Sequence, residues 1–196
     1  MRCILAVLAA ALLAGCGNSE KARLANPNTA YIPSTGGGEA QPGNDSISYW
    51  DGDGVPGPPS VIIYLKEQRA YFYKGDQLVG VSQVSAGREG HNTPIGNYKI
   101  VQKDLDHASN LYGDYVDASG NVVQKDVEVG KDPKPPGAVF KGAPMPFFMR
   151  ITGGVGMHKG YLPGYPASHG CIRMPGKMAE SFFNNVEVGT PVQIMD

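Results

Sequence analysis

At 196 residues the chain has room for one domain with a sizeable core, an export segment and a linker, which argues against a second full domain. Its 17 Lys and Arg balance 18 Asp and Glu, and no Lys/Arg-rich run stands out, so nothing favours nucleic acid as a partner. Abundant Gly (27) and Pro (16), with no long polar helical stretch, point to a turn-rich, mainly β fold.

The chain opens with Met1, Arg2 and Cys3, and an apolar run follows from Ile4 to Leu13. This is the layout of a signal peptide, too short to remain as a bilayer-spanning anchor. Leu13-Ala14-Gly15-Cys16 resembles the lipobox of bacterial lipoproteins, in which the chain is cut before the cysteine and its thiol is acylated. Residues 1–15 are therefore expected to leave, and Cys16 to carry lipid that holds the protein to the cell envelope on its periplasmic face. Cys3 leaves with the signal, so Cys171 becomes the one free thiol and no internal disulfide can form. An unpaired thiol in an oxidising compartment calls for deep burial or a chemical role.

Residues 16–58 are rich in Gly, Pro, Asn, Ser and Asp without a sustained apolar period, and read as a flexible tether. Gly52-Asp53-Gly54-Val55-Pro56-Gly57 fits a dinucleotide-binding pattern only formally, because it precedes a strand and carries Pro56 where a helix should open. From residue 59 to 196 the pattern is that of a folded domain. Val61–Leu65, Arg69–Tyr73 and Leu78–Val84 read as a β-meander turning at Lys74-Gly75-Asp76, and a further strand follows Thr93-Pro94-Ile95-Gly96. Between Asp104 and Pro146 the chain is polar and Pro/Gly-rich, with a hairpin around Ser119-Gly120-Asn121. It is expected to be a long loop that acts as a lid or substrate contact, with Tyr161, Tyr165, Phe147 and Phe148 helping to cover the site. Strand returns at Phe147–Ile151, Pro175 opens a short helix with Met178 and Phe182 on its buried face, and Val192–Ile194 closes the domain.

The chemistry concentrates between Met157 and Met174, where two histidines stand near the free thiol. An imidazole can take the thiol's proton, the arrangement of Cys–His acyl-transfer enzymes. His158 is the better base, since a loop containing Gly160, Pro163, Gly164 and Pro166 can fold it back on Cys171, whereas His169 is tied too closely. A functional thiol is expected to titrate below the roughly 8.5 of a free cysteine. Gly170 would free the N–H groups of residues 170 and 171 to face an oxyanion. A zinc site built from His158, His169 and Cys171 lacks a fourth ligand, so no metal is assigned. His91 and His107 lie in polar loops away from a nucleophile and are read as ordinary surface histidines.

Ser168-His169-Gly170-Cys171-Ile172-Arg173, preceded by Met157-His158 and by Thr93-Pro94-Ile95-Gly96, resembles the YkuD-type L,D-transpeptidase catalytic domain over residues 59 to 195. The resemblance implies a β-sandwich-like fold with one or two short helices and Cys171 as the acyl acceptor. It also implies His158 as base, oriented by a backbone carbonyl just after it at Lys159. It assigns Ser168, His169 and Gly170 to the pocket, and Arg173 and Tyr161 to the substrate side. The short His158–Ser168 loop and Arg173 in place of an Asn depart from many family members. The implied substrate is a peptidoglycan tetrapeptide stem that loses D-Ala to a thioester. An amine then resolves the thioester, from a second stem or from a wall-attached lipoprotein, and no cofactor is needed. A hydrolase on the same scaffold, and a non-catalytic wall-binding lipoprotein, are the alternatives.

Overall fold

The computed structural model describes residues 45–196, so the apolar segment, Cys16 and most of the expected tether lie outside the described residues. The meander forms β2 (Pro59–Tyr64), β3 (Arg69–Lys74) and β4 (Gln77–Gln83), joined antiparallel. Side chains alternate across each strand, so Val61 and Ile63 of β2 and Ala70 and Phe72 of β3 turn inward and are buried. With β1 (Tyr49–Trp50) on its outer edge, β13 (Pro191–Met195) pairs parallel with β2 and antiparallel with β5 (Gly96–Lys99). The result is a six-stranded sheet in the order β1-β4-β3-β2-β13-β5.

A second sheet runs β12-β11-β10-β6, from β6 (Gln102–Asp104), β10 (Phe148–Thr152), β11 (Val155–Lys159) and β12 (Ile172–Met174). Register aligns Met149 with Met157, and Met157 with Ile172, as one apolar row. That row joins Ile63 and Phe72 of the first sheet in a single core, together with Met178, Ala179 and Phe182 of α1 (Gly176–Asn185). Among the described residues no helix is long and apolar enough to cross a membrane.

Two expectations are corrected. A tether running to residue 58 does not hold, because its last part is packed: β1 is the outer strand against β4, and Trp50 is 5% exposed. The Trp50 indole meets Phe72 edge-on at 5.1 Å and Phe182 at 6.0 Å, and its Nε1–H donates to Asp53 at 2.8 Å. The slot exists because Gly52 and Gly80 lack Cβ atoms, which would stand 2.4 and 2.7 Å from indole carbons. Gly52 and a lone Trp in a Gly/Pro-rich stretch thus look like linker while building core, with Gly80 of β4 completing the slot.

The segment from 104 to 146 is likewise no plain loop. It contains a three-stranded sheet in the order β8-β7-β9, from β7 (Ala108–Val116), β8 (Val122–Glu128) and β9 (Val139–Pro144), with Tyr115, Val127 and Ala138 as a small core of its own. Register shifts break the strict alternation, and Val122, Val123 and Val139 stay exposed, so the periodic signal is lost. The expected hairpin does join β7 to β8, with Asp117 accepting from the N–H groups of Ser119 and Asn121.

Replacing Trp50 by Ala is expected to lower unfolding free energy by about 3–5 kcal/mol, the cost of removing a buried large aromatic. Urea unfolding measures it, and an unchanged midpoint would return residues 45–58 to a tether.

Candidate active site

Alternation along β10, β11 and β12 determines what faces away from the core. Met149, Met157, Ile172 and Met174 face inward, so Phe148, Arg150, His158, Cys171 and Arg173 fall on the other face, with His158 beside Arg173 across the parallel pair. A cavity of about 820 Å³ opens there, between this face and the β7–β9 sheet. Its wall includes Cys171, His158, Lys159, Ser168, His169, Arg173 and Tyr161, which gathers those expected site residues around one space. The segment expected to cover the site supplies residues 108–112 and 143–146 to the wall. Of the aromatic residues expected to cover it, Tyr161 lines the cavity and Tyr165, Phe147 and Phe148 do not.

His158 is 6% exposed, and its Nδ1 lies 2.7 Å from the Lys159 carbonyl oxygen. A carbonyl only accepts, so Nδ1 carries the proton and Nε2 keeps a lone pair. Burial, opposed by that hydrogen bond and aided by Arg173 and His107, pushes the imidazole down from 6.5 to about 4. At neutral pH His158 is an uncharged base.

The Cys171 thiol donates to the Gly154 carbonyl at 3.4 Å, in the turn between β10 and β11. Burial pushes this thiol above its ordinary value, against the Gly156 N–H and the guanidinium groups of Arg150 and Arg173. The direction runs against the expected low-pKa thiolate: desolvation outweighs the cations and favours an un-ionised thiol on the same wall as the uncharged His158.

Three residues shape the turn before Cys171. Gly170 adopts φ +113°, a conformation that L side chains rarely take. Its N–H, expected to face an oxyanion, instead donates to Ser168 Oγ at 3.0 Å, while the Ser168 hydroxyl donates to the Cys171 carbonyl. Thr93 Oγ1 donates to the Gly170 carbonyl at 2.8 Å and accepts from the Gly87 N–H at 2.9 Å. The Thr-Pro-x-Gly element thus acts through Thr93, bracing the turn from 77 residues away in sequence.

His169 does not offer a free base. Arg88 Nη2 lies 2.8 Å from its Nε2, and a guanidinium only donates, so that lone pair is occupied. Tyr112 stacks on the ring at 4.1 Å and His91 meets it edge-on at 4.8 Å. Burial and then Arg88 lower its pKa.

Arg88, Tyr112, His91 and His107 are site residues that the sequence does not single out. His107 lines the cavity with Nδ1 2.9 Å from Asp104 Oδ2, and its only sequence trace is an Asp three residues before a His. Among the described residues no group of three or more His, Cys, Asp or Glu is placed to hold a metal ion.

Known proteins resemble the chain in sequence and in fold. The YkuD family, described as the L,D-transpeptidase catalytic domain, matches residues 58–194. A probable L,D-transpeptidase of Escherichia coli, YbiS, is 29% identical over 144 residues, covering 69% of this chain and 44% of that protein. A putative L,D-transpeptidase of Bacillus subtilis, YqjB, is 29% identical over 143 residues, covering 72% and 74%. The match to YbiS thus spans less than half of that relative's length. The fold is similar to the crystal structure of an L,D-transpeptidase from Stackebrandtia nassauensis (18% identity, 72% of this chain and 57% of that one, TM-score 0.52). A Mycobacterium smegmatis L,D-transpeptidase gives 17% identity, 71% and 59% coverage, and a TM-score of 0.53. The chain belongs to the YkuD family of L,D-transpeptidase catalytic domains.

Proposed function

We propose that the protein is a peptidoglycan L,D-transpeptidase that works through a Cys171 thioester. The observation that carries this reading is the placing of a buried neutral imidazole and the thiol on one cavity wall, within a chain of this family. As Cys171 sulfur bonds to the stem's diamino-acid carbonyl, His158 Nε2 takes the thiol proton. The same proton passes to the D-Ala nitrogen as the amide C–N bond breaks, leaving a thioester and free D-Ala. An acceptor amine then attacks the thioester carbonyl. A proton from its nitrogen passes through His158 to the departing sulfur, restoring the thiol.

Because the resting pair is uncharged, proton transfer accompanies attack and does not precede it. Arg150 and Arg173 place positive potential beside the sulfur, where a developing oxyanion is stabilised. With Lys159 they make three cations on the cavity wall against one carboxylate, Asp126, which suits a stem peptide bearing free carboxylates. The β7–β9 sheet over the cavity limits water at the thioester and favours an amine.

Cys171→Ser is expected to lose roughly a hundredfold or more in D-Ala release, because a hydroxyl is much harder for imidazole to deprotonate. Mass spectrometry of products from a disaccharide-tetrapeptide distinguishes the reactions. A dimer lacking one D-Ala supports transfer, tripeptide alone supports the hydrolase, and full activity in the Cys171 variant ends the mechanism.

The proposal extends to the envelope: Cys16 carries lipid and tethers the domain within reach of the wall. In cell fractionation, Cys16→Ala is expected to move the protein from the membrane to the soluble fraction, and complete membrane retention would contradict the anchor.

A further inference from the structure

The cavity holds a second imidazole set up as a base. His107 Nδ1 faces Asp104 Oδ2 at 2.9 Å, and a carboxylate accepts, so Nδ1 carries a proton and Nε2 is the nitrogen that exchanges the other one. The ring stacks on Phe148 at 4.2 Å and 14°, and Phe148 in turn lies against His158 at 6.3 Å. Backbone hydrogen bonds from Met145 N–H to the His107 carbonyl (2.7 Å) and from Phe147 N–H to the Leu105 carbonyl (2.9 Å) hold the position at the root of the covering sheet. The charged and titratable groups grouped around that stack are Asp104 on β6, Arg150 on β10 and His158 on β11.

Resting on the transpeptidase reading, the chemistry gives that imidazole a task. A primary amine with an ordinary pKa of about 10.4 reaches the thioester as an ammonium ion at neutral pH and cannot attack. His158 must stay neutral to take a proton from the attacking nitrogen and pass it to sulfur. One imidazole cannot also remove the earlier proton from the ammonium. We propose that His107, oriented by Asp104, is the base that activates the acceptor amine. Its Nε2 takes one proton from the ammonium and releases it to solvent. The second proton travels through His158 to Cys171, and the third stays on the new amide nitrogen. Arg150, Arg173 and Lys159 on the same wall disfavour the ammonium's charge and ease its loss.

The test measures the ratio of dimer to tripeptide formed from disaccharide-tetrapeptide by wild type, His107→Gln and Asp104→Asn across about pH 7 to 10. For His107→Gln the ratio is expected to fall at least about tenfold near pH 7, within the range of general-base effects. The gap should close as pH approaches about 10.4, where the amine loses its proton unaided. Asp104→Asn, which can keep the hydrogen bond but not the charge, should fall between. An unchanged ratio near pH 7 in both variants, or a loss that persists at high pH as for a purely structural peg, overturns the proposal. A wild type that forms the thioester yet yields only tripeptide contradicts the transpeptidase reading and this proposal together. Dimer from wild type with unaltered ratios in both variants contradicts this proposal alone.

Discussion

Each residue of β10, β11 and β12 alternates between two demands, and the site depends on that alternation. The inward set, Met149, Met157, Ile172 and Met174, is fully buried among the side chains of the first sheet and α1. The outward set includes Arg150, His158, Cys171 and Arg173, which line the cavity. Register couples the two sets, since a one-residue slip of β12 against β11 would turn Cys171 inward and Ile172 out. The same hydrophobic packing that stabilises the domain therefore holds thiol and imidazole on a common wall. Bracing of the turn by Thr93 and Ser168 adds the local precision that strand pairing alone lacks, because Cys171 lies one residue before β12 begins.

Burial also determines the electrostatics. Covering the wall with the β7–β9 sheet removes water from both partners, so the imidazole is driven toward neutrality and the thiol resists ionisation. Both shifts favour the uncharged pair, although Arg150 and Arg173 pull the sulfur the other way. The imidazole is thus kept unprotonated, though a weaker base than a free histidine, and no resting thiolate is left open to oxidation. The Lys159 carbonyl leaves Nε2, and not Nδ1, with the lone pair in the uncharged ring.

The Cys–His motif and the mainly β class are legible in the sequence because they rest on local signals. Strands β2 and β3 alternate cleanly, and Cys171 stands in a short run with His169, thirteen residues after His158. What is not legible depends on long-range contact. Trp50 finds its slot only when Gly80 comes alongside, and Thr93 meets Gly170 only in the fold. The β7–β9 strands carry bulges and exposed valines that blur the period of two. The thiol's direction of shift runs against the sequence expectation because a motif shows the cations but not the depth of burial. His107 reads as an ordinary surface histidine because its partner cavity is made by residues from β7, β9, β10 and β11 together.

The neutral Cys171–His158 pair is the central claim, and the pH dependence of Cys171 alkylation tests it most directly. With iodoacetamide and peptide-level mass spectrometry to isolate this thiol, the half-maximal rate is expected above the roughly 8.5 of a free cysteine. Rapid alkylation that stays constant from about pH 5 to 8 would reveal a resting thiolate–imidazolium pair and contradict the account.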